Sequence, residues 1–412
     1  MPSRSKHRVD ILVQRQLDTI STGNGAYLET FLRVIKRAEL QTRIVFAPQH
    51  SFGNRPWASI HPRLGALIDE VVWPKTVKIG PSFWSLSPRV WFRFVKRAVK
   101  ELGLRLGIDI LVPSYLGRPL NRSDENAVVR VSNNNPGDIT IAEYSSMGPV
   151  LDRLTGNSRR GVLMHDLLSD RGKIWRNSGT SPDLYEISFQ GEADWCRSAE
   201  LMIYASANEL AKFEPSVPGS QSVWLRPEPP VYDETVSSGV PRVLYLGTTH
   251  AGNTDALQHF LADIWPKVLA KKPDLEFWIA GSVGKTLTDE ERATPGIKVL
   301  GRVERLEDVG GADSIGIAPT RLATGISIKV AEYLMLDMTC VAYPLAVQGF
   351  KSALNELVDL PPTPDDFADA IVSLAEDHAG RTQKASLSRK EAERVLDNQE
   401  VVDFLHAALK TE

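Results

Sequence analysis

The clearest pattern of apolar and polar positions lies between residues 314 and 350. A short apolar run, Ile315 to Pro319, has the length of a buried strand and ends at a proline. After a loop that contains Gly325, apolar residues recur at spacings of three and four, and a second apolar run follows at Thr339 to Tyr343. Such spacings are typical of a helix that buries one face. The segment is therefore predicted to form a strand, a loop, a helix and a strand, which is one βαβ unit.

The loop of this unit precedes a helix N-terminus, where outward-facing amides and the helix dipole favour an anion. Lys329 is predicted in the first helical turn and Glu332 follows three residues later, so both lie on one face. A cation beside a carboxylate suits a ligand that carries phosphate and sugar hydroxyls. Considered alone, such a pair is more often an ordinary surface pair on an amphipathic helix.

The same patterns divide the chain into two α/β halves. In the first half they predict strands at Val9–Val13, Arg43–Ala47, Ile108–Val112, Ala127–Val131, Asp138–Ala142, Gly161–Met164 and Leu201–Ser206. In the second half they predict strands at Arg242–Leu246, Leu275–Ala280 and Ile297–Leu300. A proline-rich stretch without periodicity separates the halves and predicts a linker.

We therefore predict an α/β protein with two doubly wound, Rossmann-like domains that face each other across a cleft. The predicted boundaries are 1–225 for the N-terminal domain, 226–241 for the linker and 242–380 for the C-terminal domain. Residues 381–412 are predicted to be helical, with a return to the N-terminal domain as one option.

Two places in the first half carry candidate chemistry. Gly23 and Gly25 lie at the predicted turn into the first helix, where glycines let a ligand approach the backbone, although a tight turn explains them equally well. His165 and Asp166 directly follow a predicted strand, and ligands of open α/β sheets gather beyond the carboxyl ends of strands. This pair is our candidate for catalysis, with a purely structural histidine as the alternative.

A segment that begins near residue 73 interleaves aromatic residues with cations. No acidic residue occurs between Glu70 and Glu101. This composition suits the headgroup region of an anionic membrane, and a core helix with a solvated basic face is the alternative. The candidate membrane contacts are Trp91, Arg93, Lys96, Arg97 and Lys100.

Composition excludes several classes of protein. The 412 residues are 42% hydrophobic and 24% charged with a net charge of −3, which is typical of a globular protein and gives no overall attraction for nucleic acid. Two cysteines provide neither a disulfide framework nor a metal site, and we expect no metal. The N-terminus lacks a signal-peptide pattern, and no run is long enough to span a membrane. We expect the protein in the cytoplasm or on the inner face of the membrane.

Several stretches resemble a known family. Residues 243–281 and 297–350, with GISIKVAEYLMLDMTCVAYP at their centre, resemble the C-terminal domain of group 1 glycosyltransferases of the GT-B fold. Residues 139–154, 162–171 and 199–213 resemble its N-terminal segments less specifically. The resemblance implies that a nucleotide sugar binds the C-terminal domain and that the N-terminal domain holds most of the acceptor.

The family motif transfers by position. Glu332 matches the second glutamate of the Glu-x7-Glu motif, which binds ribose hydroxyls in the family. The first glutamate falls at position 324, where this chain has threonine. The resemblance implies a donor site made of Thr248, His250, Asn253, Glu304, Thr324, Gly325, Ile326, Ser327, Lys329 and Glu332.

The function expected from this resemblance is metal-independent transfer of a hexose from a UDP-type or GDP-type sugar to a hydroxyl of a glycan or lipid-linked acceptor, as in polysaccharide biosynthesis. The nucleotide sugar is a substrate, and no cofactor is expected. Retention of the anomeric configuration is slightly favoured. With retention, His165 is expected to contact the donor sugar or its phosphate. If the enzyme instead inverts, His165 or Asp166 is the expected base. The alternatives are a GT-B assembly or binding protein without activity, since Thr324 replaces the glutamate, and a nucleotide-sugar epimerase.

Overall fold

The computed structural model describes residues 7–20, 23–105, 117–177, 185–229, 232, 239–323 and 325–410. The chain divides into two compact units. Unit 1 comprises residues 1–205, 209–225 and 398–412, and unit 2 comprises residues 206–208 and 226–397. Each unit is built on its own parallel sheet, so the predicted α/β class with two parallel sheets is confirmed.

The first part of the chain contains ten strands and eight helices among the described residues. The strands are β1 (Arg8–Val13), β2 (Gln41–Phe46), β3 (Trp57–Ser59), β4 (Glu70–Val72), β5 (Thr76–Ile79), β6 (Ser82–Ser85), β7 (Ile139–Glu143), β8 (Arg159–Met164), β9 (Leu201–Tyr204) and β10 (Gln221–Trp224). The helices are α1 (Gly23–Arg37), α2 (Pro62–Gly65), α3 (Pro88–Arg105), α4 (Arg122–Asn134), α5 (Gly148–Leu151), α6 (Leu168–Asn177), α7 (Phe189–Trp195) and α8 (Ala207–Phe213).

The second part of the chain contains five strands and eight helices among its described residues. The strands are β11 (Arg242–Leu246), β12 (Glu276–Ala280), β13 (Ile297–Gly301), β14 (Ser314–Ala318) and β15 (Thr339–Ala342). The helices are α9 (Ala251–His259), α10 (Trp265–Lys271), α11 (Asp289–Arg292), α12 (Ile328–Met335), α13 (Pro344–Val347), α14 (Pro364–Glu376), α15 (His378–Val395) and α16 (Gln399–Lys410). A π-helical turn, Phe260–Ile264, joins α9 to α10.

The main sheet of unit 1 is parallel, with the strand order β10-β9-β8-β7-β1-β2-β4. Its strands read as continuous apolar runs because both faces of a parallel sheet are covered by helices. The chain order reverses between β1 and β7, so the connections that follow these two strands leave in opposite directions. This reversal opens a crevice at the carboxyl edge of the sheet. Helix α16 belongs to this unit and packs on α1 and β10.

The sheet of unit 2 is also parallel, with the order β13-β12-β11-β14-β15. Its core contains a cluster of buried aromatic side chains that includes Phe260, Trp265 and Phe277. Here the chain order reverses between β11 and β14. The loop that follows β14 therefore lies beside the loop that follows β11.

Three parts of the first half differ from the sequence prediction or lie beyond it. Residues Ala127–Val131, predicted as a strand because of their valines, belong to helix α4. Asn121 caps this helix by accepting hydrogen bonds from the amides of Ser123 and Asp124, and this local signal outweighs β-branched composition. The sequence did not predict the antiparallel sheet β3-β6-β5. The predicted strand Ile108–Val112 lies outside the described residues.

Candidate functional site

The chain order of the second sheet reverses between β11 and β14, and we call this place its switch point. There the side chain of Tyr333 separates the ends of the two strands. Strand β11 pairs with β14 only from Arg242 to Leu244. Beyond that point the Tyr333 hydroxyl accepts a hydrogen bond from the Leu246 amide at 2.9 Å and donates one to the Ile317 carbonyl at 3.1 Å. A Cβ on Gly316 would lie 2.4 Å from the Tyr333 ring, so only glycine fits there. Tyr333 thus fills the gap between the strands and satisfies their buried polar groups.

The side chain of Lys329 on α12 reaches across this switch point to Tyr245 on β11 and Asn253 on α9. Its Nζ donates to Asn253 Oδ1 at 2.8 Å and to the Tyr245 hydroxyl at 3.3 Å, and it lies 4.3 Å from the centre of the Tyr245 ring. All of these partners are neutral. In the described part of the chain, no salt bridge within 4 Å joins Lys329 to Glu332. The predicted neighbours therefore share one helix face without neutralising each other.

Burial alters the ionisation of both residues. Each is half-buried. Desolvation lowers the pKa of Lys329 to about 7, against the opposing attraction of Glu332. Desolvation also raises the pKa of Glu332, against the attraction of Lys329. An anion bound beside Lys329 would supply the counter-charge that its ammonium lacks.

The loop after β14 leads directly to the start of α12. Gly325 has φ +65°, a left-handed conformation that favours glycine. Ser327 precedes the helix and makes no side-chain capping hydrogen bond, so its hydroxyl does not occupy the first-turn amides. The loop also packs closely on Gly349, where a Cβ would lie 2.8 Å from the Gly325 carbonyl oxygen and 3.2 Å from Ile326 Cα. Thr324 lies outside the described residues.

The loop after β11 is braced on its neighbours. The Thr248 carbonyl accepts hydrogen bonds from Asn253 Nδ2 at 3.1 Å and from the His250 amide at 2.8 Å. His250 is the N-cap of α9, and its Nδ1 accepts from the Gly252 amide at 3.3 Å. These contacts hold the side chain of Asn253 in place, and its Oδ1 accepts the hydrogen bond from Lys329. The structure therefore brings Thr248, Asn253 and Lys329 into one hydrogen-bonded set.

Glu304, another member of the predicted donor set, is not joined to this group. It is exposed in the loop after β13, which is two strands away from β11. Among the described residues, no hydrogen bond or ion pair connects it with Lys329 or Asn253. Glu304 lies at the same edge of the sheet, outside the hydrogen-bonded set of Thr248, Asn253 and Lys329.

His165 lies at the switch point of the first sheet, next to a buried ion pair. Arg15 follows β1, and it donates to Glu143 Oε1 at the end of β7 from Nε at 3.0 Å and from Nη2 at 2.7 Å. His165 Nε2 lies 3.1 Å from the same oxygen. Asp166 instead forms a buried ion pair with Arg171 at 3.1 Å. The two predicted catalytic residues thus have different partners.

Gly23 and Gly25 lie within the first turn of α1, one residue on either side of Asn24. The Asn24 carbonyl accepts a hydrogen bond from Arg15 Nη2 at 3.0 Å. The glycine segment is therefore attached to the Arg15–Glu143 pair, and both lie at the carboxyl edge of the first sheet.

Sequence reasoning missed four residues of these two sites: Arg15, Glu143, Tyr245 and Tyr333. Arg15 and Glu143 each lie at the carboxyl end of a strand, so the rule that selected His165 would also have selected them. Tyr245 and Tyr333 read as core residues, and only strand order reveals their polar contacts.

The basic segment contains both buried and exposed aromatic residues. Trp73 is buried and stacks on Phe46 at 4.0 Å, and Trp57 packs against Phe94 at 5.3 Å. Trp91 is partly exposed, and its Nε1 donates to the Ser85 carbonyl at 2.9 Å. Arg93 turns inward and donates to the Gln49 carbonyl. Lys96 and Arg97 are exposed, and the side chain of Lys100 is outside the described part of the structure.

The described residues contain neither a candidate membrane-spanning helix nor a candidate metal-binding cluster. None of the described helices is long and apolar enough to cross a membrane. Within the same residues, there is no group of three or more histidine, cysteine, aspartate or glutamate side chains that is arranged to hold a metal ion.

Known proteins share the fold of this chain, and one family model matches part of it. Residues 240–377 match the family model of glycosyl transferases group 1. No curated protein sequence matches the chain significantly.

Solved structures resemble the whole chain at low sequence identity. A variant of S. aureus TarM in complex with Fondaparinux, alpha-GlcNAc-glycerol and UDP is 10% identical over 98% of this chain and 100% of its own, with a TM-score of 0.65. Anabaena HepE in complex with UDP and glucose is 14% identical over 97% and 99%, with a TM-score of 0.62. The trehalose-6-phosphate synthase OtsA is 12% identical over 98% and 99%, with a TM-score of 0.60. The chain therefore has the α/β fold seen in structures of GT-B glycosyltransferases, and its residues 240–377 are similar to glycosyl transferases group 1.

Proposed function

We propose that the protein is a glycosyltransferase that moves a hexose from a nucleoside diphosphate sugar to a hydroxyl of a glycan or lipid-linked acceptor. The observation that carries the proposal is the position of Lys329 at the switch point of the second sheet. Its ammonium lies beside the start of α12, and its hydrogen-bond partners among the described residues, Asn253 and Tyr245, are neutral. A half-buried cation next to a helix N-terminus suits a diphosphate.

In the proposed reaction, the bond between the anomeric carbon and the distal phosphate oxygen breaks while the acceptor oxygen forms a new bond to that carbon. The nucleoside diphosphate leaves with additional negative charge. Lys329 and the amides of the Gly325–Ser327 loop would stabilise this charge, a preorganised electrostatic role for which the protein itself supplies the cation. Glu332 would accept hydrogen bonds from ribose hydroxyls, because an ionised carboxylate is an acceptor only.

We favour a UDP-type donor over a GDP-type donor because solved structures of similar fold contain UDP. We also propose that the anomeric configuration is retained. This is supported by the pairing of Asp166 with Arg171, since an ion-paired carboxylate is a poor base for an acceptor hydroxyl. The anomeric proton of the product, observed by NMR, would reveal inversion directly.

Binding and transfer assays would test the proposal together. UDP at about a hundredfold its Kd is expected to stabilise the protein by about 2.7 kcal/mol. A K329A/E332A variant is expected to lose this shift, and the matched K285A/E290A variant, which changes exposed residues of the same unit, is expected to keep it. Wild-type stabilisation by UDP without any transfer would indicate a binding protein, and a changed sugar nucleotide without an acceptor would indicate an epimerase.

We further propose that unit 1 docks on an anionic membrane surface, where a lipid-linked acceptor would be found. Within the described part of the chain, seven of the ten exposed large apolar side chains lie between residues 77 and 99. Phe92 on α3 is 70% exposed. Exposed cations accompany them, among them Lys78, Lys96 and Arg97, and carboxylates are absent from 71–100. An apolar patch with cations at its rim complements anionic headgroups.

Co-sedimentation with liposomes would test this surface. Wild-type protein is expected to bind vesicles that contain phosphatidylglycerol and not vesicles of phosphatidylcholine alone. The K96E/R97E variant is expected to lose binding, whereas K285E/K390E, with the same change in charge elsewhere, is expected to retain it. Equal binding of both variants would refute the proposed surface.

A further inference from the structure

A cavity of about 490 Å³ lies in unit 1, beside the loop that follows strand β2. The first turns of α3 and the start of α4 form its other walls. Its lining residues are Gln49, Pro88, Arg89, Phe92, Arg93 and Asn121. Cavities of about 300–1,000 Å³ are usual for sites that hold a small molecule. Ligands of open α/β sheets bind beyond the carboxyl ends of the strands, so the cavity lies where a substrate of this unit is expected.

Two arginines of α3 line this cavity. Arg89 and Arg93 are four residues apart, so their side chains lie on the same face of the helix. Arg93 is half-buried, and its Nη2 donates to the Gln49 carbonyl, which holds the guanidinium at the cavity wall. Arg89 is exposed, and within the described part of the chain it forms no hydrogen bond or ion pair. The protein thus fixes one guanidinium and leaves the other available to a ligand.

One carboxyl group lies close to these arginines. Asp124 is buried, and its oxygens accept hydrogen bonds from the amides of Gln49 and His50. Burial raises the pKa of Asp124, while these hydrogen bonds and the charge of Arg93 lower it. None of the six lining residues is acidic. Asp124 therefore offsets at most one of the two guanidinium charges, and the cavity remains positive.

The cavity also borders an apolar stripe on α3. Phe92, which lines it, is 70% exposed. Val95 and Val99 follow at spacings of three and four residues, and both are exposed. Residues at these spacings share one helix face, so the stripe begins at the cavity and continues along the helix. A ligand that joins an anionic group to an apolar chain matches both features.

We propose that this cavity binds a phosphate group that is attached to an apolar chain, as in a lipid-linked acceptor or a phospholipid. Guanidinium groups bind phosphate oxygens through pairs of N–H donors, and the chain would lie along Phe92 and Val95. The inference rests on the proposed transfer to a lipid-linked acceptor and on the proposed membrane surface. It adds the chemical group by which unit 1 holds the lipid.

Binding of a small, water-soluble lipid phosphate would test the cavity without a bilayer. Geranyl phosphate carries both parts of the ligand, whereas geraniol lacks the phosphate and inorganic phosphate lacks the chain. Calorimetric titration of the whole chain is expected to give geranyl phosphate a Kd at least roughly tenfold below that of either fragment. Covering about two CH₂ groups of the chain already accounts for a factor of this size relative to inorganic phosphate.

A single substitution would identify the cavity as the binding site. R89Q removes the exposed guanidinium and leaves Arg93 and its contact with Gln49 in place. It is expected to raise the Kd of geranyl phosphate roughly tenfold, the usual loss for one hydrogen bond between charged groups, and to leave UDP binding unchanged. R130Q changes an exposed arginine on α4 of the same unit and is the matched control, for which both Kd values should stay at the wild-type level.

Three results would overturn the inference: a wild-type Kd for geranyl phosphate in R89Q, equal binding of geraniol and geranyl phosphate, or equal binding of inorganic phosphate and geranyl phosphate. Dihexanoyl phosphatidylglycerol, used below its micelle concentration, distinguishes the two sources of the lipid phosphate. Tighter binding than geranyl phosphate would assign the cavity to a membrane phospholipid, and weaker binding would assign it to the lipid-linked acceptor. A protein that binds geranyl phosphate and transfers no sugar would disprove the proposed glycosyl transfer and leave the assignment of the cavity intact.

Discussion

The carboxyl edges of the two sheets have the same topology and opposite electrostatics. At the edge of the first sheet, Arg15 forms an ion pair with the buried Glu143, and Asp166 forms a second one with Arg171. At the edge of the second sheet, the hydrogen-bond partners of Lys329 within the described part of the chain are an amide oxygen and a tyrosine. The first edge is thus internally neutralised, whereas the second keeps a cation whose charge is not paired.

Under the proposed function, this difference would allow one fold to hold two kinds of substrate. A crevice whose charges are paired with each other suits an uncharged ligand, such as the glycan acceptor of the proposed reaction. A half-buried cation at a helix N-terminus suits a diphosphate. The topology provides two crevices, and the charges within each crevice determine which ligand it can bind.

The largest effect is expected from breaking the ion pair of unit 1. Arg15→Met leaves Glu143 buried without its counter-ion, which typically costs about 3–5 kcal/mol. Urea unfolding would measure this loss. The double variant R15M/E143M is expected to recover most of the stability, because replacing both charges removes the desolvation penalty. A loss below about 1 kcal/mol in R15M would show that the pair is not an isolated buried one.

Removing the cation of unit 2 is expected to affect catalysis and not stability. Lys329→Met should reduce kcat about 10²- to 10³-fold, the usual effect of losing one preorganised group that stabilises developing charge. The unfolding free energy should stay the same or rise, since an apolar side chain avoids the desolvation that lowers the pKa of Lys329. K285M, at an exposed lysine, is the control. A variant with nearly wild-type kcat would remove Lys329 from the site.

A smaller effect is expected from the tyrosine that fills the second switch point. Tyr333→Phe keeps the ring and leaves the Leu246 amide and the Ile317 carbonyl without their partner, at a cost of about 1–3 kcal/mol. Thermal unfolding with and without UDP would measure the change. Y343F, in the same unit, removes a hydroxyl with one side-chain partner, His259 Nε2 at 3.0 Å, on a residue that is partly exposed, and should cost less. Equal losses in the two variants would contradict the role of Tyr333.

The smallest expected effect is a pH dependence of stability and of UDP binding, caused by the lowered pKa of Lys329. The pKa of Lys329 is lowered to about 7 in the fold from 10.5. Below pH 7 it is charged in both the folded and unfolded states. Between pH 7 and 10.5 the folded state binds fewer protons, so its contribution to stability rises with pH across this window. A bound diphosphate restores the charge, and UDP binding should therefore take up a proton and weaken as pH rises above 7.

Calorimetry would detect this proton. At pH 8, the heat of UDP binding should depend on the ionisation enthalpy of the buffer in the wild type and not in K329M. A buffer-independent heat in the wild type would mean that Lys329 is already charged in the free protein.

Secondary structure could be predicted from the sequence where several local signals, such as the pattern of apolar residues and the residues at the ends of each element, indicated the same element. The apolar runs that became β11, β14 and β15 are long, bounded and buried on both faces, so periodicity and burial point to the same element. The prediction failed at Ala127–Val131, where valines favoured a strand and the capping residue Asn121 began a helix. Propensity over five residues is weaker evidence than a satisfied helix terminus.

The sequence by itself determined the two α/β halves, the loop before α12 and the placing of Lys329 and Glu332 on one helix face, because these depend on residues close together in the chain. Tertiary structure alone decided what these residues contact. Lys329 meets Asn253, 76 positions earlier, and Arg15 meets Glu143, 128 positions later. Strand order brings such residues together, and strand order depends on how whole layers pack, which local periodicity does not encode.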